Sequence, residues 1–240
     1  MENNVKKTRV WELDAFRGLF IIGMVAVHTI YDLTAMFGLS FDPGVVYDIA
    51  KEYGSILFIV LSGICVTFGR HFLKRGLTVL GFGMLISLVM ALLTAFVSES
   101  FGLIYFGILH LLGTCMILYP VFRKMPVWAN CICALAAFAV GYVICDIEIS
   151  AFPLLVIFGF DLKGFSAVDH FPLFPNLGWF IVGIVLGKTL YKKKQSLLPE
   201  GIGKNAVVRF FMLCGKQSLW IYVLHQPIVY GILYIIFKFI

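Results

Sequence analysis

Apolar residues gather along this chain in long runs. Seven stretches of about 18 or more predominantly apolar residues fall at approximately 16–36, 54–70, 77–97, 103–122, 127–145, 173–191 and 217–238. A helix of about 20 residues crosses the hydrocarbon core of a bilayer. The pattern therefore predicts an all-α, polytopic membrane helix bundle with about seven transmembrane helices. Three of the intervening segments carry structure of their own. In residues 37–53, "FGLSFDPGVVYDIAKEY", a Pro-Gly turn precedes a helix that begins near residues 42–44 and continues into the second span. In residues 146–172, "ISAFPLLVIFGF" is apolar but short and broken by Pro and Gly, so it predicts an interfacial or re-entrant segment. Residues 195–216 are amphipathic around "AVVRFFMLCGK" and are expected to lie on the cytoplasmic surface.

Composition agrees with a lipid solvent. The chain is 61% hydrophobic and 13% charged, with a mean hydropathy of +0.97. A soluble domain of this size needs more polar surface than that. The sequence shows no internal repeat, soluble domain or low-complexity linker, so residues 1–240 read as one membrane domain. The polar N-terminus and the lack of a small-residue cleavage site make the first helix an expected uncleaved anchor.

The net charge of +6 has a topological cause rather than a nucleic-acid one. Lys6, Lys7, Arg9 and Arg17 precede or open the first span. Arg70, Lys74 and Arg75 follow the second, and Arg123 and Lys124 follow the fourth. Lys188, Lys192, Lys193, Lys194, Lys204, Arg209 and Lys216 lie between the sixth and seventh. These are 16 of the 19 basic residues, all on one side of the predicted bundle. Acidic residues on the other side include Asp42, Asp48, Glu52, Glu99, Asp146, Glu148, Asp161 and Asp169. Basic loops face the cytoplasm and meet anionic lipid there. The expectation is a multi-pass plasma-membrane protein with its N-terminus inside and its C-terminus outside.

The first span departs from the apolar rule. "LDAFRGLFIIGMVAVHTIYD", residues 13–32, contains Asp14, Arg17, His28 and Asp32. At 100° per residue all four fall within roughly a 60° arc of one helix face. A charge facing lipid costs several kcal/mol, so the stripe must face protein or a wet cavity. His28 lies about 16 Å beyond Arg17 along the axis. One helix face thus links the cytoplasmic side to the outer half of the membrane. For Asp14 and Arg17 the bland alternative is a helix cap and a snorkelling side chain marking the inner interface. For His28 and Asp32 it is a structural interhelical hydrogen bond.

Other chemistry-bearing residues are scattered. His110 in "YFGILHLLG" and His225 in "YVLHQPI" lie inside spans. Gln226 and Pro227 follow His225, and the proline loosens the last helix there. Each histidine reads either as an interhelical hydrogen bond or as an additional site group. His170 sits at the outer interface, and His71 reads as a solvated loop residue. Cys65, Cys115, Cys131, Cys133, Cys145 and Cys214 lack metal-like pairing and read as small apolar filler. No ligand spacing supports a metal site.

The Arg17–His28 spacing, with ten residues between, resembles the Arg-ten-His signature of the type-3 membrane acyltransferases. The ordered set "RVWELDAFRGLFIIGMVAVHTIYDL", "FGILHLLG", "PLFPNLGWFIVGIVLG" and "QSLWIYVLHQPI" more closely resembles bacterial proteins with a heparan-α-glucosaminide N-acetyltransferase-type catalytic domain. The resemblance covers nearly the whole chain. It departs in two respects. The lysosomal enzyme of that family carries its catalytic histidine in the loop after the first span, with an asparagine where this chain has His28, and here that loop has no histidine. The chain also has fewer spans than the ten or eleven usual in these families.

The resemblance implies an acyltransferase that takes an acyl group from cytoplasmic acyl-CoA, most simply acetyl-CoA. The acceptor it implies is an extracytoplasmic glycan or lipid-linked sugar. On that footing His28 is the expected general base, with Asp32 orienting it, or else the carrier of a transient acyl group. Arg17 and Asp14 at the inner mouth, with Arg70, Lys74, Arg75 and Arg123, are the expected contacts of the CoA nucleotide. His110, His225 and Gln226 form a second tier of site residues. The acceptor, acyl length and any homo-oligomer stay open. The rival from another class is a proton-coupled transporter or flippase, since the same stripe would serve as a proton relay. The lack of paired halves with matching broken helices weighs against it. A purely structural membrane partner fits the buried charges worst.

Overall fold

In lipid a backbone must satisfy its own hydrogen bonds, and a single chain segment does this only as a helix. Each of the seven apolar runs folds accordingly in the computed structural model, which describes residues 10–97, 102–149, 153–163, 167 and 169–239. Lys6, Lys7, Arg9 and Glu99 of the charge pattern, and residues 150–152 of the apolar segment between the fifth and sixth runs, lie outside the described residues. The helices are α1 (Trp11–Tyr31), α2 (Val45–Val66), α3 (Phe72–Phe96), α4 (Ile108–Lys124), α5 (Val127–Ile144), α6 (Leu173–Thr189), α7 (Ala206–Lys216) and α8 (Ser218–Phe239). Among the described residues the other regular elements are two short strands, β1 (Glu148–Ile149) and β2 (Asp161–Leu162), and three short helical turns.

Among the described residues five helices are long and apolar enough to cross a membrane. They are Trp11–Met36, Val45–Val66, Phe72–Phe96, Val127–Ile144 and Ser218–Phe239. α4 and α6 have 17 residues each, or about 25 Å of helix. That falls short of the roughly 30 Å of a typical hydrocarbon core.

Local chemistry explains several boundaries. α1 starts five residues before the run predicted at 16 and takes in Glu12 and Asp14, both buried. Its last turn widens into a π-helical segment, Asp32–Met36. Gly44 adopts φ +78, and its N–H donates to the Asp42 carboxylate at 2.9 Å. This turn sets the start of α2 where the Pro-Gly pair predicts it. α4 begins at Ile108 rather than near residue 103, because two side chains bind its first amides. His110 Nδ1 accepts from the Gly107 N–H (3.2 Å), and Asp169 accepts from the Ile108 N–H (3.3 Å). The Asn205 side chain caps α7 by accepting from the Val207 N–H at 2.8 Å. In the apolar segment between α5 and α6, Pro153–Phe158 forms a 3-10 helix between β1 and β2, which pair in parallel. Its Val156 is buried, so the segment packs on protein and does not span.

The chain divides into two compact units. One comprises Met1–Leu61 with Tyr191–Ile240, and the other comprises Ser62–Leu190. In the first, α1 packs on α7 and α8. Gly18 and Gly215 lie where these backbones meet. A Cβ on Gly18 would overlap the Phe211 carbonyl, and one on Gly215 would overlap the Asp14 carbonyl. Small residues permit such an approach, which van der Waals contact then rewards in lipid. At the other end of α1, Phe37 stacks against Phe237 and Tyr230 of α8.

In the second unit, α3 pairs with α4 and α5 with α6. α4 is the most enclosed helix, with Leu111 and Cys115 fully buried, and it also contacts α6. Lys188 of α6 donates to the Phe122 and Met125 carbonyls, both at 2.7 Å. A cation thereby satisfies orphan carbonyls at the end of α4.

Candidate functional site

The polar stripe of α1 faces α7 and α8, with Asp14 and Asp32 buried and Arg17 and His28 half-buried. Near the start of α1, Asp14 is 5% exposed. Arg17 Nη1 donates to Asp14 Oδ1 at 3.3 Å and to the Gly215 carbonyl of α7 at 3.4 Å. The i, i+3 spacing brings carboxylate and guanidinium onto one face. The glycine contact of α1 with α7 brings the Gly215 carbonyl within reach. Arg17 therefore joins α1 to α7 while holding a carboxylate on its own helix.

About eleven residues further along α1, the same face meets α8. His28 Nδ1 lies 3.1 Å from His225 Nε2, with ring centroids 5.0 Å apart. His225 Nδ1 lies 2.6 Å from the Tyr222 carbonyl one turn back in α8. One turn beyond His28, the Gln226 amide nitrogen donates to both Asp32 oxygens, at 3.0 and 2.9 Å. Asp32 is 1% exposed and His225 is 8% exposed. The Gln226 Oε1 is buried and makes no hydrogen bond among the described residues.

Asp32 sits where α1 turns π-helical, and its backbone N–H reaches the His28 and Thr29 carbonyls. Such bulges re-aim side chains and concentrate at functional positions. Here Asp32 engages Gln226 and His28 engages His225. Two adjacent hydrogen-bonded pairs thus cross one helix seam at the place where Asp32 was expected to orient His28. Pro227, the next residue, has no N–H to offer the Val223 carbonyl, which loosens α8 beside the site.

His110 occupies a different setting, inside the second unit. Its Nδ1 accepts the Gly107 N–H, so its Nε2 carries the proton and faces Ser87 Oγ at 3.4 Å. In that tautomer it has no lone pair for the serine, so Ser87 and His110 do not form a nucleophile–base pair. His110 is a buried capping residue, packed 5.5 Å from the Phe106 ring. His170 bridges to Phe106 in the segment ahead of α6, where burial holds its imidazole below the usual range.

Arg70, Lys74, Arg75 and Arg123 also belong to the second unit, at the α2–α3 turn, the first turn of α3 and the end of α4. The Arg123 guanidinium lies 5.7 Å over the Phe72 ring, a cation–π contact. Among the described residues no group of three or more His, Cys, Asp and Glu side chains is placed to hold a metal ion.

One residue escaped the sequence reading. Glu12 is 1% exposed and accepts from Ser196 Oγ (2.6 Å) and the Leu197 N–H (2.7 Å). It ties the start of α1 to the segment before α7. A carboxylate just ahead of a span reads as an interfacial charge, and nothing local marks it as a long-range anchor. The pairing of His225 and Gln226 with His28 and Asp32 was visible only as two polar pairs in separate helices.

Comparison with known proteins adds one result. A family model described as heparan-alpha-glucosaminide N-acetyltransferase, catalytic, matches residues 9–227. No curated protein and no solved structure matches the chain significantly.

Proposed function

This chain belongs to the heparan-α-glucosaminide N-acetyltransferase catalytic family, and from that premise we propose that it moves an acetyl group from cytoplasmic acetyl-CoA to an extracytoplasmic sugar or glycan. The membrane is the plasma membrane, crossed seven times with the N-terminus inside and the C-terminus outside. α4 and α6 complete the span count as shorter helices, and the sign of the connecting loops supports the orientation.

The observation that carries this reading is the polar stripe on α1, buried at Asp14 and Asp32 and half-buried at Arg17 and His28. Its Asp14–Arg17 pair touches α7, and its His28 and Asp32 pair with His225 and Gln226 of α8. A stabilising seam alone has no need of so many ionisable groups, which are expensive in lipid and mark functional sites there. Arg17, set by Asp14, serves the phosphate end of CoA. His28 serves as general base toward the acceptor hydroxyl or amine. The unbonded Gln226 carbonyl is the natural partner for a donor on that acceptor. In the second unit, the basic groups Arg70, Lys74, Arg75 and Arg123 are separate candidates for phosphate contact, each tested on its own by alanine substitution and acetyl-CoA affinity.

Purified protein in detergent tests the reading. It should bind acetyl-CoA and transfer acetyl to an amino sugar or a glycan hydroxyl. Arg17→Ala should weaken acetyl-CoA binding about ten-fold or more, since a charge-assisted contact contributes roughly 1.5–3 kcal/mol. His28→Ala should keep binding and lose turnover by about 10²–10⁴-fold. Protein that neither binds nor turns over acetyl-CoA but carries protons across liposomes would overturn the proposal in favour of a proton-coupled transporter.

A further inference from the structure

The hydrogen-bond chain through α8 determines which nitrogen of His28 is free to act. A carbonyl oxygen only accepts, so the 2.6 Å contact with the Tyr222 carbonyl requires a proton on His225 Nδ1. A neutral His225 then presents a bare lone pair on Nε2. That lone pair lies 3.1 Å from His28 Nδ1. Were His28 protonated only on Nε2, two lone pairs would face each other across this gap. The arrangement is satisfied when His28 Nδ1–H donates to His225 Nε2. His28 Nε2 is then left with its lone pair, and no described residue hydrogen-bonds it.

We propose that His225 is a positioning residue that holds His28 in the Nδ1–H tautomer, making His28 Nε2 the atom that takes the acceptor's proton. This rests on the acetyltransferase reading above and specifies its chemistry. The acceptor oxygen or nitrogen attacks the thioester carbonyl carbon as its proton passes to His28 Nε2. A new C–O or C–N bond forms, the C–S bond breaks, and CoA leaves as the thiolate. The proton on Nε2 then passes to that thiolate, which restores the neutral imidazole.

Throughout, His225 accepts from His28 Nδ1–H, and this bond strengthens when His28 is charged. His225 thus fills the place that a carboxylate fills in a Ser-His-Asp triad. Asp32 is left to the Gln226 amide. The burial of His225, at 8% exposure, and its second bond to a helix carbonyl keep the ring from rotating away.

Nitrogen-15 NMR of histidine-labelled protein in detergent reads the tautomer directly, without turnover. The His28 resonances, assigned by their loss in His28→Gln, should show a protonated Nδ1 and a bare Nε2. In His225→Leu the acceptor is gone and His28 should become a mixture of tautomers. His225→Gln places an amide oxygen near the former Nε2 and should restore the Nδ1–H form.

Turnover should follow the same order. His225→Leu should lower kcat on the order of 10²–10⁴-fold, the range for loss or misorientation of a general base, while acetyl-CoA affinity changes less than about two-fold. His225→Gln should recover most of kcat. An Nε2–H tautomer in the native protein, or equal kcat in the Leu and Gln variants, would overturn the proposal. Native protein that shows the Nδ1–H tautomer but turns over no acetyl-CoA would instead defeat the acetyltransferase reading and leave the positioning geometry standing.

Discussion

At the scale of single residues, the Asp32–Gln226 contact sets up a stability test of its own. The carboxylate is 1% exposed, and a single amide nitrogen bonds both its oxygens. Removing one partner leaves a buried charge without its donor, whereas removing both leaves nothing unsatisfied. Gln226→Leu should therefore lower stability by about 1–3 kcal/mol or more, seen as a lower Tm in detergent. The double variant Asp32→Leu/Gln226→Leu should recover most of that loss. A double variant as unstable as the sum of the two singles would show that the pair is not coupled. The same logic makes Glu12 a structural anchor, since its two oxygens each hold a donor from the segment before α7. No lone residue carries the site. Arg17, His28 and Asp32 each acquire their meaning from a neighbour across a helix seam, and Asp14 from Arg17 on its own helix.

Between elements, the close approach of α1 and α7 decides whether Arg17 meets its partners. Gly18 and Gly215 lie backbone to backbone, and a methyl group at either would meet a carbonyl of the other helix. Backbone cannot yield as a flexible side chain can, so the helices would have to separate. Gly215→Ala should cost about 1–3 kcal/mol by overpacking and also weaken acetyl-CoA binding, because Arg17 bonds the Gly215 carbonyl itself. Gly231→Ala is the matched control, since a Cβ there meets nothing within 4 Å. The check is Tm and acetyl-CoA affinity on both variants, and a Gly215→Ala protein that matches Gly231→Ala would show that the seam tolerates a wider spacing. The π-helical turn at Asp32 works at this scale too. It rotates the end of α1 so that Asp32 faces Gln226 while Phe37 reaches Tyr230 and Phe237.

For the molecule as a whole, the testable property is its path through the membrane. Among the described residues five helices have the length and composition to cross, and α4 and α6 are shorter. Pro153–Phe158 turns as a 3-10 helix between two paired strands and is not a span. With α4 and α6 crossing, a reporter fused after Ile240 should face outward and one at Lys193 should face the cytoplasm, read by paired phosphatase and fluorescent-protein fusions. A C-terminal reporter on the cytoplasmic side would mean that one of the two short helices does not cross.

What was legible from the sequence was whatever depends on local periodicity and composition. Long apolar runs became helices at each predicted place, since a chain in lipid has no other way to satisfy its backbone. The Pro-Gly turn marked the start of α2, and the amphipathic stretch around "AVVRFFMLCGK" became α7. The stripe of Asp14, Arg17, His28 and Asp32 was likewise legible, because a helix of 3.6 residues per turn places residues at those intervals on one face. Partner choice was not legible. His28 and His225 are 197 residues apart, and Asp32 and Gln226 are 194 apart. No periodicity links positions on separate helices. The tertiary structure brought them together through two glycines that let α1 meet α7, and through the packing of α8 against the far end of α1. By the same means it gave His110 a capping role and kept Asp32 for Gln226. A hydrogen bond depends on direction and reach, and only packing determines those.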